Sequence, residues 1–319
     1  MNIFFQYLKD YFRAISPRQL LLTAIFTALL VFLNYSVGIE KRIKEIHPWY
    51  GQLTCFFIFY LFVFGTAYLF QATTTKSDSL KKNSNQIITS RQEQKLFLVF
   101  FSLAPLFFSF KMVHWNIFPI VYSRLQGWDK YWSIVVELPL KLIALLITLF
   151  LIKVLWRDGE SFWGLTTKNF MPLPYLLILL CMIPFIAYAS TRPDFLHAYP
   201  KFKNVAFIGN YTQPAWPWKL LFEISYGLDF VGIELFFRGF LVIGFARFVG
   251  IHAILPMAAF YCTVHFGKPL GECISSFFGG LALGVIAYRT KSIVGGLLAH
   301  LGIAYLMEIG GYAGALYFR

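Results

Sequence analysis

The sequence predicts an all-α polytopic membrane protein, a bundle of about eight or nine transmembrane helices with its polar site in the C-terminal half. Three observations predict it. Hydrophobic residues make up 58% of the 319 and charged residues 13%, with 37 Phe, against the roughly 25% charged of an ordinary soluble domain. Successive apolar stretches approach the roughly 20 residues that cross a bilayer. From Leu220 onward these stretches shorten, glycines multiply and ionisable side chains stand inside them.

The opening nineteen residues, M-N-I-F-F-Q-Y-L-K-D-Y-F-R-A-I-S-P-R-Q, are aromatic and basic and lead into an apolar helix with no small-residue cleavage site, so the start is expected to be retained. Spans are expected at residues 20–37 and 53–70. Thr, Ser, Lys, Asn and Gln dominate 71–95, which predicts a soluble loop. A third span, 96–110, holds Pro105 and is expected to kink there. The fourth, 132–155, carries Glu137 and Lys141 at i and i+4 among Trp128, Trp132 and Trp156, the pattern of an interfacial ion pair in an aromatic belt. Pro172 and Pro174 open a fifth at 175–189. The connection 190–218 contains Pro193, Pro200, Pro214 and Pro217 and is expected to be an ordered, non-helical cap.

Helices then follow at 220–248, 251–265, 272–288 and 292–309, with tight turns at Gly250, at 267–271 and at 289–291. Gly280 and Gly284 form one small-residue face and Gly295, Gly296, Ala299 and Gly302 another, so these helices can approach closely. The chain thus divides into a membrane-anchoring part, 1–219, and a core, 220–319, built to hold something.

Basic residues in loops and ends supply the net charge of +13, as in Lys41, Arg42 and Lys44 or Lys76, Lys81 and Lys82. Anionic headgroups and the positive-inside rule select such charge. Membrane lipid is therefore the expected partner, and nucleic acid, which would want a soluble basic face, is not. With the N-terminus inside, Lys9, Arg13, Arg18, the 71–95 loop, Lys168, Arg247, Arg289 and Lys291 fall in the cytoplasm. The expected location is the plasma (inner) membrane, as an integral multi-pass protein. Cys55, Cys181, Cys262 and Cys273 lie in or beside apolar runs without a C-x-x-C pair and read as small core residues.

The stretch Val231 to Gly244, V-G-I-E-L-F-F-R-G-F-L-V-I-G, places Glu234 and Arg238 inside an apolar run. Burying such a charge costs about 2.5 to 3.5 kcal/mol on insertion scales, so it marks a candidate site. On an α-helix the two lie one turn apart on one face, acid on the N-terminal side. His265, Lys268, Glu272, His300 and Glu308 extend the polar set over the next helices. Glu, His and His suit water activation: a carboxylate takes the proton, one imidazole holds the water or shares the proton, and a second donates to a developing oxyanion. Glu234, His265 and His300 could equally hold Zn²⁺ with an open fourth position, the one cofactor the set admits, although no H-E-x-x-H is present. His47, His114, His197 and His252 read as structural or interfacial.

These residues resemble the CAAX protease and bacteriocin-processing (CPBP) intramembrane proteases, relatives of the type II CAAX prenyl endopeptidase. That family shows E-E-x-x-x-R, then F-x-x-x-H, then H-x-x-x-N or H-x-x-x-D on successive transmembrane helices. The matching stretches are I-E-L-F-F-R from Ile233, Y-C-T-V-H from Tyr261 and H-L-G-I-A from His300. The resemblance implies hydrolysis of a membrane-associated peptide, prenylated or hydrophobic, by activated water. It implies Glu234 or Glu272 as base, His265 positioning the water, His300 as oxyanion donor and Arg238 orienting Glu234. Three positions depart from the pattern: the first Glu, generally taken as the base, is Ile233; the Asn of the third motif is Ala304; the Phe is Tyr261. Two readings follow, an enzyme with a rearranged base or a catalytically impaired member that binds hydrophobic peptide or serves as an immunity or scaffold protein. A secondary transporter would also explain buried charge, but the halves show no inverted repeat.

Overall fold

The computed structural model describes residues 2–79, 91–113, 128–156, 161–168, 170–211 and 213–317; among them all regular structure is helical. Eight helical stretches among the described residues are long and apolar enough to cross a membrane, so the chain is an integral multi-pass membrane protein of the all-α polytopic class. It folds into two compact units. One comprises Met1–His114, Trp163–Thr166 and Phe236–Ile293, and the other Trp115–Phe162, Thr167–Leu235 and Val294–Arg319.

In the first unit, helix α1 (Asn2–Ala14) buries Phe4 and Tyr11 and leaves Ile3, Phe5 and Phe12 exposed, the two-faced pattern of a helix lying in a membrane interface. Helix α2 (Pro17–Val37) starts on a proline in its first turn and stops at Gly38, whose left-handed backbone lets its N–H bond the Asn34 carbonyl, a glycine C-cap. A short helix α3 (Ile39–Lys44) leads to α4 (Trp49–Ser79). Helix α5 (Arg91–Met112) runs through Pro105 as one element, and Ser109 donates to the Pro105 carbonyl at 2.6 Å.

The loop expected over 71–95 is helical at both ends, its middle, 80–90, lying outside the described residues. Hydropathy ends at Phe70, but helix formation does not need hydropathy. Thr73 and Thr74 tie their hydroxyls back to the Phe70 carbonyl, the local bonding a threonine can make within a helix.

Aromatic rings fill this unit. Phe64 lies 5.3 Å from Phe101, Tyr60 4.9 Å from Phe260, Phe100 5.2 Å from Phe240 and Phe108 5.1 Å from Phe237, all within the range in which ring pairs attract. Helices α10 (Ile254–Thr263) and α11 (Leu270–Thr290), numbered after those of the second unit, pack directly on each other. The expected small-residue face mediates this: Gly280 meets Tyr261, and Gly284 meets Met257 and Ile254.

In the second unit the short helix Trp128–Trp132 and the π-turn Ser133–Glu137 lead into α6 (Leu138–Trp156). Glu137 and Lys141 do pair, at 3.5 Å, and both are buried where an interfacial pair was expected. Trp128, Tyr131, Trp132, Trp218 and Phe207 cluster near this end. The Tyr131 hydroxyl donates to the Trp218 carbonyl at 3.1 Å, and burial pushes its phenol above the usual range.

Helix α7 (Pro172–Ala189) packs on α12 (Val294–Tyr317), where Gly295 meets Tyr175 and Gly302 meets Leu179. The cap expected to be non-helical contains helix α8 (Pro193–Ala198) and a 3₁₀ run, Lys201–Asn210. Its prolines sit at starts: Pro193 in the first turn of α8, Pro200 just ahead of the 3₁₀ run, and Pro217 in the first turn of α9 (Trp216–Glu234). The missing proline N–H costs nothing there because the first turn leaves its donors unpaired.

Candidate active site

Glu234 is the last α-helical residue of α9. Beyond it the winding widens to a π-helical segment, Leu235–Gly244. Runs of this kind are rare and occur at functional sites. The chain passes from the second unit to the first at this change, so the polar set is divided between the two, Glu234 and His300 in the second and Arg238 and His265 in the first.

In the second unit Glu234 has no exposed surface, and its Oε1 lies 2.9 Å from Nδ1 of His300 on α12. Gly296, one turn before His300, makes room for the acid: a Cβ there would stand 2.7 Å from Glu234 Oε2. Phe230, one turn before Glu234, meets the His300 ring edge-on at 4.8 Å. Carboxylate and phenyl together fix the imidazole plane. With Glu234 ionised the contact puts a hydrogen on Nδ1, because a carboxylate then only accepts. The His300 side chain is 15% exposed against 0% for Glu234.

In the first unit Arg238, 1% exposed, lies over the Tyr261 ring with its guanidinium carbon 4.3 Å from the centroid, a cation–π contact that is strong when desolvated. His265 Nδ1 lies 2.9 Å from the Tyr261 carbonyl, and the two rings are 4.6 Å apart. A carbonyl only accepts, so His265 carries a hydrogen on Nδ1. Tyr261 therefore serves both residues, one with its ring face and the other with its backbone.

The turn between α10 and α11 carries His265 and ends near Glu272, which pairs with Lys268 at 3.3 Å. Gly267 holds it in the left-handed region at φ +80, and a Cβ there would meet the Glu40 carboxylate at 2.9 Å. Tyr35 of α2 donates to the Lys268 carbonyl at 2.5 Å, and Phe59 of α4 lies 6.0 Å from Phe266.

Glu308, grouped with the candidates by sequence, is a structural tether. Its carboxylate accepts the N–H of Lys201 at 2.8 Å and of Phe202 at 3.2 Å, capping the 3₁₀ run. Sequence reasoning missed Phe230, the room Gly296 makes for Glu234 and the role of Tyr261. The replacement of the family Phe by Tyr was the one signal available for the last. Among the described residues no group of three or more His, Cys, Asp or Glu could hold a metal ion.

No curated protein and no solved structure matches the chain. A family model does: the one described as type II CAAX prenyl endopeptidase Rce1-like matches residues 215–306. The stretch that holds Glu234, Arg238, His265, Glu272 and His300 is thus similar to the Rce1-like CAAX prenyl endopeptidases.

Proposed function

We propose that the chain is an intramembrane endopeptidase that hydrolyses a membrane-associated peptide, prenylated or otherwise hydrophobic, with water activated by the Glu234–His300 pair. The observation that carries this reading is the 2.9 Å contact between a fully buried carboxylate and a partly exposed imidazole, inside a segment matched by a protease family. Glu234 accepts the Nδ1 hydrogen and favours the imidazolium that forms. Water gives a proton to Nε2 as its oxygen attacks the scissile carbonyl, and the imidazolium then returns that proton to the leaving amine.

The sequence expectation had Glu234 or Glu272 as base and His300 as oxyanion donor; the present reading makes His300 the proton acceptor instead. The observed burial supports the present order, because Glu234 points one oxygen at His300 and packs the other against Gly296. Glu272 pairs with Lys268 at 3.3 Å and is given no step in this reading. His265 and Arg238 enter the proposal as residues on which turnover depends, without an assigned step.

The test uses purified protein in lipid nanodiscs with two fluorogenic peptides, one farnesylated and one plainly hydrophobic. Turnover in the wild type, lost in His300→Ala and Glu234→Ala, supports the enzyme. Peptide binding without any turnover in the wild type identifies a catalytically impaired binding protein instead.

A further inference from the structure

Two thiols that the proposed reaction does not use stand face to face in the first unit. Cys262 lies in the last turn of α10 and Cys273 in the first turn of α11; both are buried, and their Sγ atoms are 4.0 Å apart. Each thiol also approaches the carbonyl oxygen of the other residue, Cys262 at 3.3 Å and Cys273 at 3.7 Å. Reciprocal contacts of this kind bring the two backbones close with both side chains directed inward, which is what a disulfide requires. The small face of α11 permits the approach, with Gly280 against Tyr261, the neighbour of Cys262.

We propose that Cys262 and Cys273 form an oxidation site, a buried dithiol that a peroxide closes to an intramolecular disulfide. One thiol, as thiolate, attacks a peroxide oxygen; the O–O bond breaks, hydroxide leaves and a sulfenic acid forms. The second thiolate attacks that sulfur, the S–S bond forms and the S–O bond breaks. Two thiols lose two electrons, and their two protons end in the two waters made from hydrogen peroxide. Access comes from the adjoining turn, where Gly267, Leu270 and Gly271 are exposed, so a small neutral oxidant needs only a local opening.

The ring so closed contains His265, Lys268 and Glu272. Shortening the sulfur separation to about 2.05 Å draws the end of α10 onto the start of α11 and stiffens the turn between them.

The experiment reads mass, so it is independent of proteolysis. Wild-type protein in nanodiscs is treated with hydrogen peroxide, denatured, alkylated with iodoacetamide, weighed and digested. The expected result is a monomer lighter than the alkylated untreated protein by about 116 Da, because two hydrogens are lost and two carbamidomethyl groups of about 57 Da each are not taken up, one cross-linked peptide pair joining Cys262 to Cys273, reversal by dithiothreitol, and slower amide exchange over residues 264–271. Cys262→Ser should abolish the cross-link. The Cys55→Ala/Cys181→Ala double variant keeps the pair untouched and should still form it. Free Cys262 and Cys273 at a peroxide dose that oxidises the exposed Cys181, or a cross-link from either to Cys55 or Cys181, would overturn the proposal.

Discussion

Glu234 buries a carboxylate completely and places it 2.9 Å from His300 Nδ1, the contact through which the proposed reaction uses it. Glu234→Gln keeps the shape and an accepting oxygen but removes the charge that favours the imidazolium. Turnover should fall by about 10² or more, the scale of lost acid–base assistance, while peptide binding holds; unchanged kcat would argue against the assigned role. Gly296→Ala pushes a methyl group to 2.7 Å from Oε2. A displacement of that order costs about 10²-fold through lost alignment, and the loss should appear in kcat with KM little changed. Sequence made Glu234 and His300 candidates because a charge or an imidazole among apolar residues needs a reason. It did not give their contact, since that depends on how α9 and α12 are rotated, nor the part of Gly296, which sequence offered only as a packing residue.

At the level of elements, the reading that placed Glu234 and Arg238 one turn apart assumed α winding. The backbone turns to π from Leu235 to Gly244. The change was not legible because V-G-I-E-L-F-F-R-G-F-L-V-I-G is apolar all round, and without a polar face no periodicity distinguishes 3.6 residues per turn from a wider winding. Packing supplies the cause: a Cβ on Gly239 would stand 2.6 Å from the Trp163 carbonyl oxygen, and one on Gly244 2.6 Å from the Trp163 ring, so these glycines let Trp163 settle against the segment. The turn after α10 is held as closely. Gly267→Ala forces a left-handed conformation on an L-residue and drives a methyl into the Glu40 carboxylate; the backbone term alone is about 1 to 2 kcal/mol. A lower unfolding temperature in nanodiscs, with the same helix content by circular dichroism, is the expected outcome. Glu308→Ala leaves two backbone N–H groups of the cap without their acceptor and should cost about 2 kcal/mol, visible as a shift in the fluorescence of the tryptophans clustered near the cap.

For the whole molecule, composition was the most legible property. A chain with 58% hydrophobic and 13% charged residues has no soluble fold open to it, and the structure spends its aromatic rings on the packing of the first unit and on the tryptophan cluster of the second. The first five spans expected from hydropathy fall within observed helical stretches, because desolvation in lipid forces backbone groups to pair internally; of the later ones, 220–248 is interrupted at Phe245 and 251–265 ends in a turn that holds His265. What lay outside the membrane was read less well: the cap is partly helical and α4 outruns its apolar stretch, since helix propensity and threonine back-bonding persist where hydropathy ends. The proposed water activation takes His300 as its proton acceptor and uses no metal. Turnover should therefore survive exhaustive dialysis against a zinc chelator; loss on chelation and recovery on adding Zn²⁺ would assign the imidazoles to a metal instead.

The most direct test is single-turnover hydrolysis of the farnesylated reporter by wild-type protein and by His300→Ala at equal peptide occupancy. A cleaved product is expected from the wild type, and a rate at least about 10²-fold lower from the variant. Equal rates from the two proteins would contradict the role given to the Glu234–His300 pair.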